Sequence, residues 1–178
     1  ANDDGLVTKG SKILMIHNRT TTEGRGTAQK FTSSKTLSLS HNEYAELSVW
    51  VLTRGIDGAE LKSLAEGSKT GAYVAIQNTI SSTRDPFIIK NINTKGEWVK
   101  YTVYLSASDF ATSSFKIVLG LGFGQDKITN EYVEGYAFFD NVNFKIIDKK
   151  AYDEAVSAID GANKYNVYND SNELVAAD

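Results

Sequence analysis

Cysteine is absent from the chain, which removes disulfide staples, a thiol nucleophile and any zinc site built on sulfur. The absence leaves the compartment open, because surface proteins of bacteria also do without cysteine. His17 and His41 are the only histidines, Met15 the only methionine and Pro86 the only proline. Few groups are therefore on hand for acid–base chemistry or for an imidazole-rich metal site. There is no apolar run of about eighteen residues, so no membrane-spanning helix is expected. No apolar stretch follows a basic start, so no signal peptide is expected either.

What is present suits one packed domain. The 178 residues are 41% hydrophobic and 23% charged, and a chain of this length buries roughly 70% of its unfolded surface. The net charge of −3 is unevenly distributed. From Lys149 to Asp178 three lysines face six acids, which leaves 16 basic and 16 acidic side chains in the first 148 residues. A neutral body offers no field for nucleic acid or anionic lipid, so neither partner nor direct membrane insertion is expected.

Residues 1–148 alternate like strands between turns, whereas 149–178 do not. Short apolar runs occupy Lys12–His17 and Gly26–Phe31. In Glu46–Thr53, Leu47, Val49 and Val51 alternate with Glu46, Ser48 and Trp50, the period of a half-buried strand. Further strands are predicted at Gly71–Asn78, at Phe87–Ile92 after Pro86, and at Glu97–Leu105. Phe115–Phe123 sets Phe115, Ile117, Leu119, Leu121 and Phe123 on one face. Gly120, Gly122 and Gly124 lie on the other, where a missing side chain permits bending or close approach. Gly135–Ile147 is the last and longest. About eight strands so spaced predict an all-β antiparallel sandwich, a jelly-roll. Ile56–Gly67 fits a short helix or a long loop. Lys149–Ile159 carries Tyr152, Ala155, Val156 and Ile159 at helical spacing, with Gly161 as a C-cap. The polar, acidic stretch beyond it reads as a linker or tail toward other domains of a larger chain, with a docked extension as the alternative.

The succession GSKILMIHN, GTAQKF, YAELSVWVLT, GEWVKYTVYLSASD, FKIVLGLGFG and GYAFFDNVNF resembles the jelly-roll carbohydrate-binding modules of bacterial glycoside hydrolases and surface glycan-binding proteins. These belong to the galactose-binding-like sandwiches. The resemblance spans about residues 10 to 147. It implies an extracellular or cell-surface protein whose partner is a polysaccharide or oligosaccharide. Sugars in such modules stack on aromatic planes and bond to polar side chains, on one sheet face or in loops at its edge. Trp50 is the first candidate platform, and the alternation suggests that Gln29, Tyr73, Gln77 and Tyr104 share its outward face. Trp98, at a strand start, reads more as a packing residue. A loop site would use Phe123, Gln125, Asp126 and Tyr132.

Asp140, in FFDNV, shares the alternation of Phe138, Val142 and Phe144 and is expected to point inward. A buried carboxylate needs a cation or several donors. The resemblance implies a structural calcium held by Asp140 with an acid from the N-terminus, Asp3 or Asp4, and carbonyls of Gly10 and Lys12. Oxygen ligands suit calcium. An aspartate bonded to backbone N–H groups at a strand end accounts for the same residue.

No catalytic function is expected. Glu23, Glu46, Glu97, Asp109 and Glu134 stand in no catalytic motif, and glycosidase chemistry needs two carboxylates at a set separation. GLGFG lacks the lysine and the following helix of a phosphate loop. A neutral body favours a neutral glucan, such as starch or a related plant polymer, over an anionic one. The alternative is a structural or adhesive spacer, or a protein-binding domain of a cell-surface protein.

Overall fold

The structure, a computed structural model, describes residues 12–18, 29–56, 69–78, 87–110, 113–123, 135–159 and 165–177. In chain order the first strands are β1 (Leu14–Asn18), β2 (Gln29–Thr32), β3 (Leu37–Ser38), β4 (Tyr44–Arg54), β5 (Lys69–Asn78) and β6 (Phe87–Ile92). Then come β7 (Val99–Ser106), β8 (Ser114–Phe123), β9 (Gly135–Ile147), helix α1 (Lys149–Ser157), β10 (Tyr165–Tyr168) and β11 (Leu174–Ala177). Two antiparallel sheets result. One runs β1-β9-β4-β7-β10-β11, and the other runs β2-β8-β5-β6 with β3 on β8. The fold is the expected all-β sandwich with a short C-terminal helix.

The alternation in the sequence accounts for the core. Ala45, Leu47, Val49 and Val51 of β4 face Ala72, Val74 and Ile76 of β5 and Phe115, Ile117, Leu119 and Leu121 of β8, all buried in one cluster. Burying each large aliphatic side chain contributes roughly 1.5–3 kcal/mol, more than the ~1 kcal/mol range of strand propensities, so the buried face sets the register.

Strand β9 departs from simple alternation. Trp50 of β4 pairs with Asp140, yet Ser48 pairs with Asn143, so Asn141 and Val142 together oppose Val49. This is a β-bulge, and Asn141 takes a left-handed conformation (φ 48°) that asparagine tolerates better than most residues. The extra residue reverses the facing. Before it, Ala137 and Phe139 are in the core while Phe138 packs on the outside with Leu52 and Trp98; after it, Phe144 lies against the core. Asp140 is therefore on the outer face with Trp50, not on the inward face with Phe144 as simple alternation suggests.

Residues 165–177 form the docked extension rather than the linker. Tyr165–Tyr168 pairs with Val103–Lys100 of β7, and β11 pairs back on β10. Together with β3 these short strands raise the count from about eight to eleven among the described residues. Helix α1 is capped by the Asp148 carboxylate, which accepts from the Ala151 N–H at 2.7 Å, and ends at Ala158 rather than at Gly161. Its Tyr152 packs with Tyr104 and Ile159 on the outer face of the six-stranded sheet. The segment read as helix or loop at 57–67 lies outside the described residues, as does Gly161.

On the outer face of the five-stranded sheet the ring of Tyr73 lies across Gly120. A Cβ there would sit 2.1 Å from Tyr73 Cζ, so the glycine allows the close approach its pattern suggests. Tyr73, Ala75 and Val118 form a buried cluster at this point. Gly120→Ala is expected to destabilise by about 1–3 kcal/mol through overpacking. Urea unfolding of Gly120→Ala, Tyr73→Ala and the double variant checks it: the two effects should be strongly non-additive.

Candidate functional site

The face proposed for Trp50, Gln29, Tyr73, Gln77 and Tyr104 is divided by the fold. Trp50 and Tyr104 belong to the outer face of the six-stranded sheet, on β4 and β7. Gln29, Tyr73 and Gln77 belong to β2 and β5 of the other sheet. Alternation fixes the two sides of a strand but not the sheet it joins. Tyr73 is only 2% exposed. Tyr104 is 9% exposed and is covered by Tyr152 and Ile159. Neither offers a ring plane to a sugar. Phe123 ends β8, and Asp126, Gln125 and Tyr132 lie outside the described residues.

Around Trp50 the cross-strand register builds a row: Asp140 on β9, Trp50 on β4, Lys100 on β7 and Tyr168 on β10. The Lys100 ammonium lies 4.3 Å from the Tyr168 ring centre and 5.8 Å from that of Trp50, and it donates to Asn172 Oδ1. Tyr104 lies on the same face, and burial raises its phenol above its ordinary range. Below this row, Asn143, Ser48, Thr102 and Asn166 line up across four strands, followed by the Lys145–Glu46 ion pair at 3.1 Å. Trp50 is half-buried and packs on Leu52, Trp98 and Phe138, so Trp98, 5% exposed, supports it as a packing residue.

Beyond Trp50 this floor opens into a cleft of about 410 Å³. Leu52 and Trp98 form its base, and Arg54, Gly96, Glu97, Asn169, Asp170 and Ser171 its walls. Ligand clefts combine an apolar base with a few converging polar groups, and this one does so. A second cleft of about 360 Å³ opens between the sheets beside the bulge, lined mainly by Phe31, Leu37, Ile117, Leu119, Val142 and Phe144. Its lining suits apolar surface more than hydroxyls.

Lys100, Arg54, Asp170 and Asn172 are the site residues the sequence pattern missed. The alternation of Glu97–Leu105 does put Lys100 on the face of Trp98, and Asn-Asp-Ser-Asn is a turn signal. Only the pairing of β10 with β7 brings the two together.

Of the carboxylates considered for catalysis, Glu46 is paired with Lys145, and Asp109 accepts from the Ser106 N–H at 2.8 Å in a 3₁₀ turn. Glu97 lines the cleft, and Glu23 and Glu134 lie outside the described residues. Asp140 is 5% exposed. Its Oδ1 accepts from the Asn141 N–H at 2.7 Å, while its Oδ2 has no hydrogen-bond partner among the described residues. The segment entering β1 runs past this carboxylate, since Leu14 pairs with Phe139. A buried, half-satisfied carboxylate fits a hard cation such as calcium. Among the described residues no three His, Cys, Asp or Glu side chains gather, and Asp3, Asp4 and Gly10 lie outside them.

One phenol beneath this face is strongly perturbed. Tyr101, on β7, is pushed up from 10.0 to about 12 by burial, then by the neighbouring Tyr165 phenol, whose ring is 6.0 Å away. A raised phenol keeps its stabilising neutral form below the unfolded value, and that stability is lost as pH rises from 10.0 towards 12. An ultraviolet titration should show a tyrosine ionising only as the fold is lost in this window, and Tyr101→Phe should remove that component.

No family model matches the chain, and no curated protein matches it. Among solved structures it is similar to one described as "Family 16 Carbohydrate Binding Module-2", at 14% identity and a TM-score of 0.37, over 66% of this chain and 75% of that one.

Proposed function

We propose that the protein is a non-catalytic carbohydrate-binding module, with its site on the outer face of the six-stranded sheet. One observation carries this reading: a floor of Trp50, Leu52 and Trp98 continues into a cleft walled by Arg54, Glu97, Asn169, Asp170 and Ser171. Apolar C–H faces of a pyranose suit the half-buried ring of Trp50, which Leu52 and Trp98 support by packing, and its hydroxyls suit the walls. The ligand is a neutral glucan, starch or a related plant polymer, because the body has no net field to hold a polyanion. The module acts outside the cell, on a bacterial surface or secreted protein, and keeps that protein on its polysaccharide. A structural calcium at Asp140, shared with carbonyls from the entry to β1 and with Asp3 or Asp4, belongs to the same reading.

The second reading, a spacer or protein-binding domain, is favoured by the outermost strand β11, where Leu174 and Val175 are exposed.

Affinity electrophoresis against a panel of neutral and acidic polysaccharides tests the proposal. Retardation by a neutral glucan, weakened about tenfold or more by Trp50→Ala with the fold intact, is the expected result. Silence across the panel favours the spacer, and release of reducing sugar overturns both readings. For the calcium, chelator should lower the melting temperature of the wild type and leave Asp140→Asn unaffected. A wild-type melting temperature indifferent to chelator removes the metal.

A further inference from the structure

The cleft is built by the sandwich and the C-terminal hairpin together. Leu52, Arg54, Glu97 and Trp98 come from β4 and the entry to β7, whereas Asn169, Asp170 and Ser171 come from the turn between β10 and β11. That turn is tightly braced. The Asn169 N–H donates to Glu173 O and the Asn172 N–H to Asn169 O, both at 2.9 Å. The Asn169 side chain adds two more bonds, donating to Glu173 Oε2 at 2.8 Å and accepting from the Glu173 N–H at 2.9 Å. Lys100 then ties the turn to the sheet through Asn172 and the Tyr168 ring. A turn fixed in this way presents Asp170 and Ser171 without an ordering cost at the moment of binding.

The charges in the cleft are two carboxylates, Glu97 and Asp170, against one guanidinium, Arg54. Ionised carboxylates accept hydrogen bonds only, so they select donors, and a hydroxyl bonded to a carboxylate is held more strongly than one bonded to a neutral acceptor. The same surplus of negative charge disfavours a ligand carboxylate.

We infer that the β10–β11 hairpin is the specificity wall of this site, and that Glu97 and Asp170 read the hydroxyls of a neutral sugar unit and turn uronic acids away. The inference rests on the carbohydrate reading and divides its selectivity between Glu97 of the sandwich and Asp170 of the hairpin. The hairpin is then part of the binding unit, and its turn brings Asp170 to the same cleft as Glu97.

The test is titration calorimetry of the full chain with neutral gluco-, xylo- and manno-oligosaccharides and with oligogalacturonate, each variant checked by its melting temperature. The wild type should bind a neutral oligosaccharide and ignore oligogalacturonate. Asp170→Asn and Glu97→Gln should each lose roughly tenfold or more in affinity, the scale of a lost charged hydrogen bond. The double variant should also gain measurable affinity for oligogalacturonate. Ser171→Tyr, which fills the cleft and leaves the bracing bonds of Asn169 in place, should abolish binding.

A wild type that binds a neutral sugar through Trp50, with the Asp170, Glu97 and Ser171 variants unchanged, overturns this inference and leaves the carbohydrate reading standing. A wild type that binds no oligosaccharide overturns both.

Discussion

The one-residue mismatch between β4 and β9 is the constraint on which the arrangement of the candidate site depends. Strand β9 has to place Ala137 and Phe139 in the core at one end and Phe144 against the core at the other, although these positions differ in parity. A regular strand cannot do both, because its side chains alternate with period two. The bulge at Asn141 resolves the conflict and leaves Phe138 and Asp140 on the outer face, beside Leu52 and Trp50. The pairing of β1 with β9 covers Gly135–Phe139 and stops just short of the bulge. The half-satisfied Asp140 carboxylate thus lies where the sheet changes its facing.

The outer face of the six-stranded sheet then has a burial problem of its own. Tyr44, Tyr104 and Ile147 at one end are covered by Tyr152, Val156 and Ile159 of the helix segment. Leu52, Trp98 and Phe138 at the other end are covered among themselves and by Ile13 and Trp50. Between these clusters lies a polar strip, Ser48, Thr102, Asn143 and Asn166, bounded by Trp50 and its lysine. The hairpin extends the sheet by two strands and raises its turn beside the second cluster. Apolar floor and polar wall are joined by Lys100, whose ammonium two rings and an amide oxygen share. Such a cation is partly desolvated, and its orientation is fixed by several modest attractions rather than one strong pair.

Much of the fold was legible in the sequence, and the reasons are local. β4 and β8 declare their buried faces by alternation, and the bounds of β6 and β9 coincide with strands read from the chain. What the sequence hid is non-local. YNVY and LVAA are strands of only four residues set in a polar, acidic stretch and ordered by pairing with β7 and with each other, so the stretch reads as a tail. Trp50 and Tyr73 both look outward from their own strands, yet nothing in either strand says that they sit on opposite sheets. The bulge left one trace, an asparagine able to adopt a positive φ, in a run that otherwise alternates. Site residues contributed by strand order, Lys100 with Tyr168 and Asn172, were out of reach for the same reason.

The central claim is that ligand binds the Trp50 face and the hairpin turn rather than the Tyr73 face of the opposite sheet. The most direct measurement is a nitrogen–proton correlation spectrum of the isotopically labelled chain, titrated with a soluble neutral oligosaccharide. The account predicts shifts of both tryptophan indole N–H signals and of the backbone amides from Tyr168 to Glu173, with the amides of Tyr73, Gln77 and Gly120 unmoved. Shifts confined to Tyr73, Gln77 and Gly120, with both indole signals still, would contradict it.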